Sequence, residues 1–221
     1  MIVLVLASGR GKRMGLEMPK QYAKISGSPL LSWTLDALAA SQFITQILPV
    51  IHSEDTVYYN QLKALPAKCI PPVFGADERF QSTLKGLQSI AIDNPDYVMI
   101  HDGVRPFVSQ DLIKRLVTSA TKGGSAPALP IQETLRRKTD EEAFTDVDRT
   151  QFYRIQTPQV FPFNALLDAF ERFMNENPFP PTDDAGIYSW AGYPLTYVEG
   201  CPINIKVTTP ADIAFCERVL K

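Results

Sequence analysis

The chain holds little histidine and little cysteine: His52 and His101, and Cys69, Cys201 and Cys216, in 221 residues. Three widely separated cysteines fit neither a disulfide framework nor a zinc spacing. Buried thiols in a reducing cytoplasm are the expectation, and cysteine catalysis is not. Two histidines leave no triad-like constellation. An excess of charge is also missing. With 22 basic and 24 acidic residues the formal net charge is -2, which argues against broad nucleic-acid binding. No apolar run approaches ~18 residues, so no membrane span is expected. Residues 1–7 are apolar but carry no basic leader and are too short for a signal peptide, so a cytoplasmic location is expected. No repeat, linker or low-complexity segment divides the chain, and its size suits one α/β domain over 1–221.

Against this even background one segment is locally rich in glycine and cations. Residues 2–6 are an apolar run, followed by Ala7-Ser8-Gly9-Arg10-Gly11-Lys12-Arg13-Met14-Gly15 and then Pro19-Lys20-Gln21-Tyr22. Glycines let a backbone approach its ligand closely, and successive N–H groups can form an anion-binding concavity. Arg10, Lys12, Arg13 and Lys20 supply positive charge, so the turn suits a polyphosphate. It is not a nucleoside-triphosphatase loop, because Gly11-Lys12 is followed by Arg13 and no glycine lies five places before Gly11. It is not a dinucleotide fingerprint either. Gly15 falls one residue late, and Asp36, the acid at about the right distance, sits inside a helical stretch. A solvated basic turn after a strand is the competing reading for the glycines alone; Pro19-Lys20-Gln21-Tyr22 tips the balance toward a phosphate site.

Elsewhere, apolar runs alternate with helical periods. Strands are expected at 2–6, 47–51, 69–73, 97–100 and 125–129. Leu31, Leu35 and Leu38 share a helical face, as do Leu112, Leu116 and Ala120, with Ile113 and Val117 beside them. This alternation predicts a Rossmann-like, doubly wound, mostly parallel sheet with helices on both faces. Ligands in such sheets bind beyond the carboxyl ends of the strands, where the glycine loop and His101-Asp102-Gly103-Val104-Arg105-Pro106 fall. Two short runs, 133–138 and 143–148, flank a polar turn and predict a protruding β-hairpin arm within 132–155. An isolated hairpin is marginal in water, so the arm is expected to pack against something, such as a second subunit. Phe163, Leu166, Leu167, Phe170 and Phe173 give a further apolar helical face. Thr209-Pro210-Ala211-Asp212 reads as the capped start of the last helix, with Ile213, Cys216 and Leu220 on one face.

Several motifs then stand in order: G-x-G-x-R-M and P-K-Q-Y, Gly75-Ala76-Asp77-Glu78-Arg79 with Ser82, His101 to Pro106, Asp148-Arg149, Gln156-Thr157-Pro158-Gln159, Thr182-Asp183-Asp184-Ala185 and Asn204-Ile205-Lys206-Val207-Thr208. Together they resemble the 2-C-methyl-D-erythritol 4-phosphate cytidylyltransferases, nearly end to end. Ribitol-5-phosphate cytidylyltransferases share most of them. The chain departs mildly: Leu6, Ala7 and Ser8 stand where proline and two small residues are frequent, Gly103 where alanine is usual, and Glu133 where aspartate is common.

The resemblance implies transfer of CMP from CTP to a polyol phosphate, with Mg2+ or another divalent cation. It implies catalytic Arg13, Lys20, Arg149 and Lys206. Ala7, Ser8 and Gly9 would contact the nucleotide, and Gly75, Asp77 and Ser82 would read the cytosine. Asp102, beside Arg105, would lie near the metal or the substrate hydroxyls. Thr134, Arg149, Thr157 and Thr182 would bind the alcohol phosphate. It also implies a homodimer in which the arm carries Thr134 and Arg149 into a neighbour's site. Asp148-Arg149 followed by Phe152 and Tyr153 favours methylerythritol phosphate over ribitol phosphate. The chemistry is compatible with so few histidines: a phosphate monoester, second pKa ~6, is already an ionised nucleophile, and phosphoryl-type transfer relies on positioning and charge neutralisation. Plainer readings compete. His101 reads best as a structural histidine, Asp102 could form a turn, Arg149 a surface ion pair, Thr157-Pro158 a bend, and Lys206, on an apolar strand, could snorkel. Phe152, Tyr153 and Phe161 read as packing. Asp146-Val147-Asp148 matches a glycosyltransferase D-x-D, but in the predicted hairpin rather than at a core strand end. A nucleotide-binding regulator without catalysis would not need Arg13, Lys20 and Lys206 together.

Overall fold

The computed structural model describes residues 1–9, 18–140, 142–176 and 178–220. Arg13, with Arg10, Gly11, Lys12 and Gly15, lies outside them. In chain order come β1 (Ile2–Ala7), β2 (Lys24–Ile25), β3 (Ser28–Pro29), α1 (Leu30–Ala39), β4 (Gln46–Ile51), α2 (Thr56–Asn60), β5 (Val73–Phe74), α3 (Arg79–Ser89), β6 (Tyr97–Asp102), α4 (Gln110–Ser119) and β7 (Gly124–Pro130). The second half holds β8 (Arg136–Lys138), β9 (Phe144–Asp146), β10 (Tyr153–Ile155), β11 (Gln159–Pro162), α5 (Phe163–Glu176), α6 (Asp184–Trp190), β12 (Leu195–Glu199) and α7 (Pro210–Val219).

The main sheet is open and mixed, mostly parallel. β1 lies between β4 and β6, parallel to both, and β5 extends the sheet beyond β4. On the other side β11 runs antiparallel to β6 and to β7. β10 also pairs antiparallel with β7, and β12 pairs with it in parallel. Every residue of β1 is buried, as a central parallel strand covered on both faces requires. Alternation divides its side chains between two cores. Ile2, Leu4 and Leu6 meet Leu87 of α3, Leu166 and Phe170 of α5 and Ile187 of α6. Val3, Val5 and Ala7 meet Leu31 and Leu35 of α1 and Leu112 and Leu116 of α4. Helices therefore lie on both faces, as expected. α4 is capped by Ser109, whose hydroxyl accepts from Leu112 N–H at 3.1 Å. α7 starts with a capping box between Thr209 and Asp212 and proline in its first turn.

Three details differ from expectation. Residues 69–73 do not form a core strand: Cys69 makes a single bridge to Ile47, and the strand is Val73–Phe74. Pro71 and Pro72 have no N–H to give a ladder. Lys206 is not on a strand; residues 204–208 are irregular, tied down by Val207 N–H to the Val104 carbonyl at 2.9 Å. Finally, the projecting arm is shorter than 132–155. The β8–β9 hairpin projects, but Tyr153, Arg154 and Ile155 pair with Pro130, Leu129 and Ala128 of the main sheet, because β7 extends past β11 and leaves an edge to fill.

Candidate active site

β1 and β6 end side by side, and their ends set the site. An added Cβ on Gly103 would meet the Leu6 carbonyl oxygen at 3.0 Å and Leu31 at 3.1 Å, so glycine here lets the two strand ends close tightly. Asp102, the last residue of β6, is buried in the cleft wall. Arg79 Nε reaches its Oδ1 at 3.2 Å, and Arg105 Nε and Lys206 Nζ reach Oδ2 at 3.2 and 3.0 Å. Burial alone would raise this carboxyl; Arg79, Lys206 and Arg105 outweigh it and hold it well below the usual carboxylate range. Arg79 Nη2 also donates to Asp184 Oδ2 at 2.8 Å, and Thr83 donates to Asp184 Oδ1 at 2.9 Å. Three cations thus face two carboxylates and leave a positive surplus in the cleft.

His101 stands behind this cluster. Its Nε2 is 3.1 Å from the Arg105 carbonyl oxygen, which can only accept, so Nε2 carries the proton. Nδ1 then accepts from the Thr157 hydroxyl at 3.1 Å, and that oxygen accepts from Asp102 N–H at 3.0 Å. Burial pushes the ring down to about 4, with the Arg105 carbonyl bond acting the other way. The chain from Arg105 through His101 and Thr157 fixes the backbone of Asp102, consistent with the structural reading of His101. Thr157 is buried, with its hydroxyl inside this chain.

The other wall is the β1 exit. Ala7, Ser8 and Gly9 line the cleft with Lys20, Asp77 and Lys206. Ser8 and Ser82 hydroxyls lie 2.8 Å apart, and Ser82 Oγ also accepts from Ala76 N–H at 2.9 Å. A Cβ on Gly75 would fall 2.7 Å from Ser82 Oγ and 2.8 Å from Ser8 Cβ. Gly75, Ser8 and Ser82 therefore form one packed unit that no larger residue at 75 could join. Lys20 Nζ donates to the Val207 carbonyl at 2.9 Å, which brings the 206–208 segment against the Lys20 turn.

Other expected residues fall elsewhere. Thr134 and Arg149 are exposed on the arm, and Arg149 Nη1 donates to the Gln132 carbonyl oxygen. Thr182 is exposed just before α6. None of the three lines the cleft in a single chain. Asp146 pairs with Arg136 at 2.9 Å, and Asp148 caps the turn Arg149–Gln151, so the D-x-D pair sits on the arm and not at the cleft. Phe152 and Tyr153 are exposed, whereas Phe161 is a core residue. Arg79 received no role from sequence, although a signal existed: it opens α3, where a cation opposes the helix dipole and so needs a carboxylate partner.

Among the described residues two carboxylates, Asp77 and Asp102, line the cleft. Among the described residues no group of three or more His, Cys, Asp or Glu could hold a metal. Asp102 suits the magnesium mode in which one carboxylate is joined by substrate phosphates and water; three neighbouring cations make that fit depend on the phosphates' charge. Cys69 and Cys216 carry thiols that burial pushes up to about 11, which suits packing rather than reactivity. Among the described residues no helix is long and apolar enough to cross a membrane.

A family model described as "IspD: 2-C-methyl-D-erythritol 4-phosphate cytidylyltransferase" matches residues 1–221. A bifunctional enzyme IspD/IspF from Brucella anthropi is 41% identical over 99% of this chain, and the chain spans 54% of that relative's length. A 4-diphosphocytidyl-2C-methyl-D-erythritol synthase structure from Anaerococcus prevotii superposes with a TM-score of 0.84 at 28% identity, covering 99% of this chain and 95% of that one. A 2-C-methyl-D-erythritol 4-phosphate cytidylyltransferase structure from Thermus thermophilus gives 0.78 at 30% identity, covering 98% of this chain and 97% of that one.

Proposed function

The chain belongs to the 2-C-methyl-D-erythritol 4-phosphate cytidylyltransferase family, and on that premise we propose that it transfers CMP from CTP to 2-C-methyl-D-erythritol 4-phosphate. The products are 4-diphosphocytidyl-2-C-methyl-D-erythritol and pyrophosphate, and the enzyme works in the cytoplasm as a magnesium-dependent homodimer. The observation that carries this reading is Lys206 Nζ, 3.0 Å from Asp102 in the cleft that Lys20 and the β1 exit also line. That is a cation cluster built for two anions, not a proton-transfer dyad.

The acceptor's phosphate oxygen attacks the α-phosphorus of CTP, and the bond to the β-phosphate oxygen breaks as pyrophosphate leaves. No general base is needed, since the acceptor phosphate is ionised near neutrality. Lys20 and Arg13 neutralise the triphosphate. Lys206 shifts from Asp102 to the α-phosphate and the incoming phosphate, while Arg79 and Arg105 keep Asp102 ionised and in place. Preorganised cations cost little reorganisation when charge develops, which is why such sites accelerate reaction. A magnesium ion held by Asp102 and the phosphates would supply further charge neutralisation. Gly75, Asp77 and Ser82 frame the cytosine. Thr134 and Arg149, carried by the arm of a second copy, and Thr182 bind the acceptor phosphate; Thr157 supports this region from behind Asp102.

Purified protein with CTP, magnesium and methylerythritol 4-phosphate should release pyrophosphate. No release at millimolar substrate would sink the reading. Run beside it, ribitol 5-phosphate should give the lower kcat/KM; the reverse order would reassign the acceptor.

A further inference from the structure

Gln21 is buried in the turn Lys20–Tyr22. Its side-chain nitrogen reaches three acceptors: the Ala7 carbonyl at 2.6 Å, the Gly9 carbonyl at 3.2 Å and Asp55 Oδ2 at 3.3 Å. The need at Ala7 is topological. The parallel ladder with β6 ends at Leu6, whose carbonyl accepts from Gly103 N–H at 2.8 Å. The next carbonyl, of Ala7, alternates to the opposite side, at the end of the β4 pairing where Ala7 stands beside Ile51; Ala7 is buried, and a buried carbonyl requires a donor. Gln21 provides it from across the segment that separates Gly9 from Lys20 in sequence.

The bond also has a directional consequence. In a trans peptide the N–H lies opposite the carbonyl. Holding the Ala7 oxygen on the Gln21 side turns the Ser8 N–H away from it. Gln21 is adjacent to Lys20, and Asp55 ends the turn Ser53–Asp55 that follows β4. One uncharged carboxamide therefore links the β1 exit, the Lys20 turn and the β4 exit.

We propose that Gln21 is a positioning residue for the nucleotide: it holds the Ala7 and Gly9 carbonyls on its own side, and so keeps the Ser8 N–H and Lys20 in one geometry for the triphosphate. A carboxamide suits the task because it offers two N–H donors without charge. A carboxylate there would face two carbonyl oxygens and Asp55. The inference rests on the reading of the cleft as a CTP site.

The test uses the full chain with CTP, magnesium and methylerythritol 4-phosphate. Gln21→Met keeps the length of the side chain and removes its donors; Gln21→Glu replaces donors with acceptors. The KM for CTP should rise roughly tenfold or more in Gln21→Met, and further in Gln21→Glu. The KM for the acceptor should stay within about twofold, separating nucleotide positioning from general damage. Cooperative thermal unfolding should persist in Gln21→Met. An unchanged KM for CTP in Gln21→Met, a parallel rise in both KM values, or loss of the unfolding transition in both variants would overturn the proposal. Failure of the unsubstituted chain to use CTP would remove the CTP reading and this inference with it. Turnover by the unsubstituted chain with an unaffected Gln21→Met would remove this inference alone.

Discussion

Asp102 and Lys206 illustrate how burial and charge share control of one side chain. Burial alone would push a carboxyl in this position upward, and its three cations hold it down; a lysine paired with that buried carboxylate stays there without a competing anion. In the proposed reaction the substrate phosphates would provide that competition. Lys206→Ala should therefore lower kcat by roughly 100-fold or more while leaving CTP affinity nearly intact, as removal of a transition-state contact does. Steady-state kinetics with each substrate varied in turn would check this; a rise in KM for CTP with unchanged kcat would contradict it. His101 makes a separate prediction. Its folded-state value is lowered from 6.5 to about 4, so between those values the unfolded chain binds a proton that the folded chain does not. Stability should fall as pH drops through that window. The depressed carboxyl of Asp102 acts lower: its contribution is complete above the unfolded carboxyl value of about 3.9 and is lost as pH falls further. Thermal unfolding from pH 7 to 4.5 should show a declining midpoint, and the His101 ring resonances should remain in the neutral form down to about pH 5. Titration of His101 near 6.5 would show that the hydrogen-bond chain through Thr157 is not formed.

The arm is the element whose sequence and structure are hardest to reconcile within one chain. Its strands pair Arg136 with Asp146, Arg137 with Thr145 and Lys138 with Phe144, and every residue of β8 and β9 is exposed. A two-stranded hairpin with no buried face lacks an internal reason to be stable. Phe144 is 65% exposed at its tip region, and Phe152, Tyr153 and Tyr197 are exposed where the arm leaves the sheet. The proposed homodimer would account both for the exposed aromatics and for the absence of Thr134 and Arg149 from the cleft lining of one chain. Arg149→Ala should raise the KM for the acceptor phosphate roughly tenfold or more, as loss of a charge-assisted contact does, with CTP affinity nearly unchanged. Equal losses for both substrates would refute the assignment of the arm to the acceptor.

A shared site makes a stronger prediction for the assembled protein. If each cleft takes Lys206 from one chain and Arg149 from the other, Lys206→Ala and Arg149→Ala sit at different ends of the same site. Unfolding the two variants together and refolding them should produce mixed dimers with one doubly damaged and one intact site. Assayed with the acceptor well below its KM, where both parents are impaired, recovery of up to about a quarter of full activity is the expected contribution of the intact sites for random pairing in a two-fold dimer. No recovery, with dimers present by sedimentation, would place both residues in one chain's site.

The alternation of short apolar runs and helical periods was sufficient to determine a doubly wound sheet, and the cap at Thr209 was readable as written. These are local signals: periodicity, caps and turn residues act within a few positions. Ala7, Ser8, Gly9, Lys20, Asp77, Asp102 and Lys206 were also legible as site candidates, and the fold brings them to one cleft. The sequence could not disclose the partners. Lys206 met Asp102 across about a hundred residues, Arg79 met Asp184 across 105, and Gln21 met Asp55 across 34. Nor could it show that the segment around Lys206 is irregular, or that Pro71 and Pro72 confine the strand to Val73–Phe74. Hydrophobic pattern sets which face of an element is buried, but the ends of strands carry their polar groups beyond the ladder. What satisfies them depends on which distant segment the packed core delivers there, and only the tertiary structure decides that.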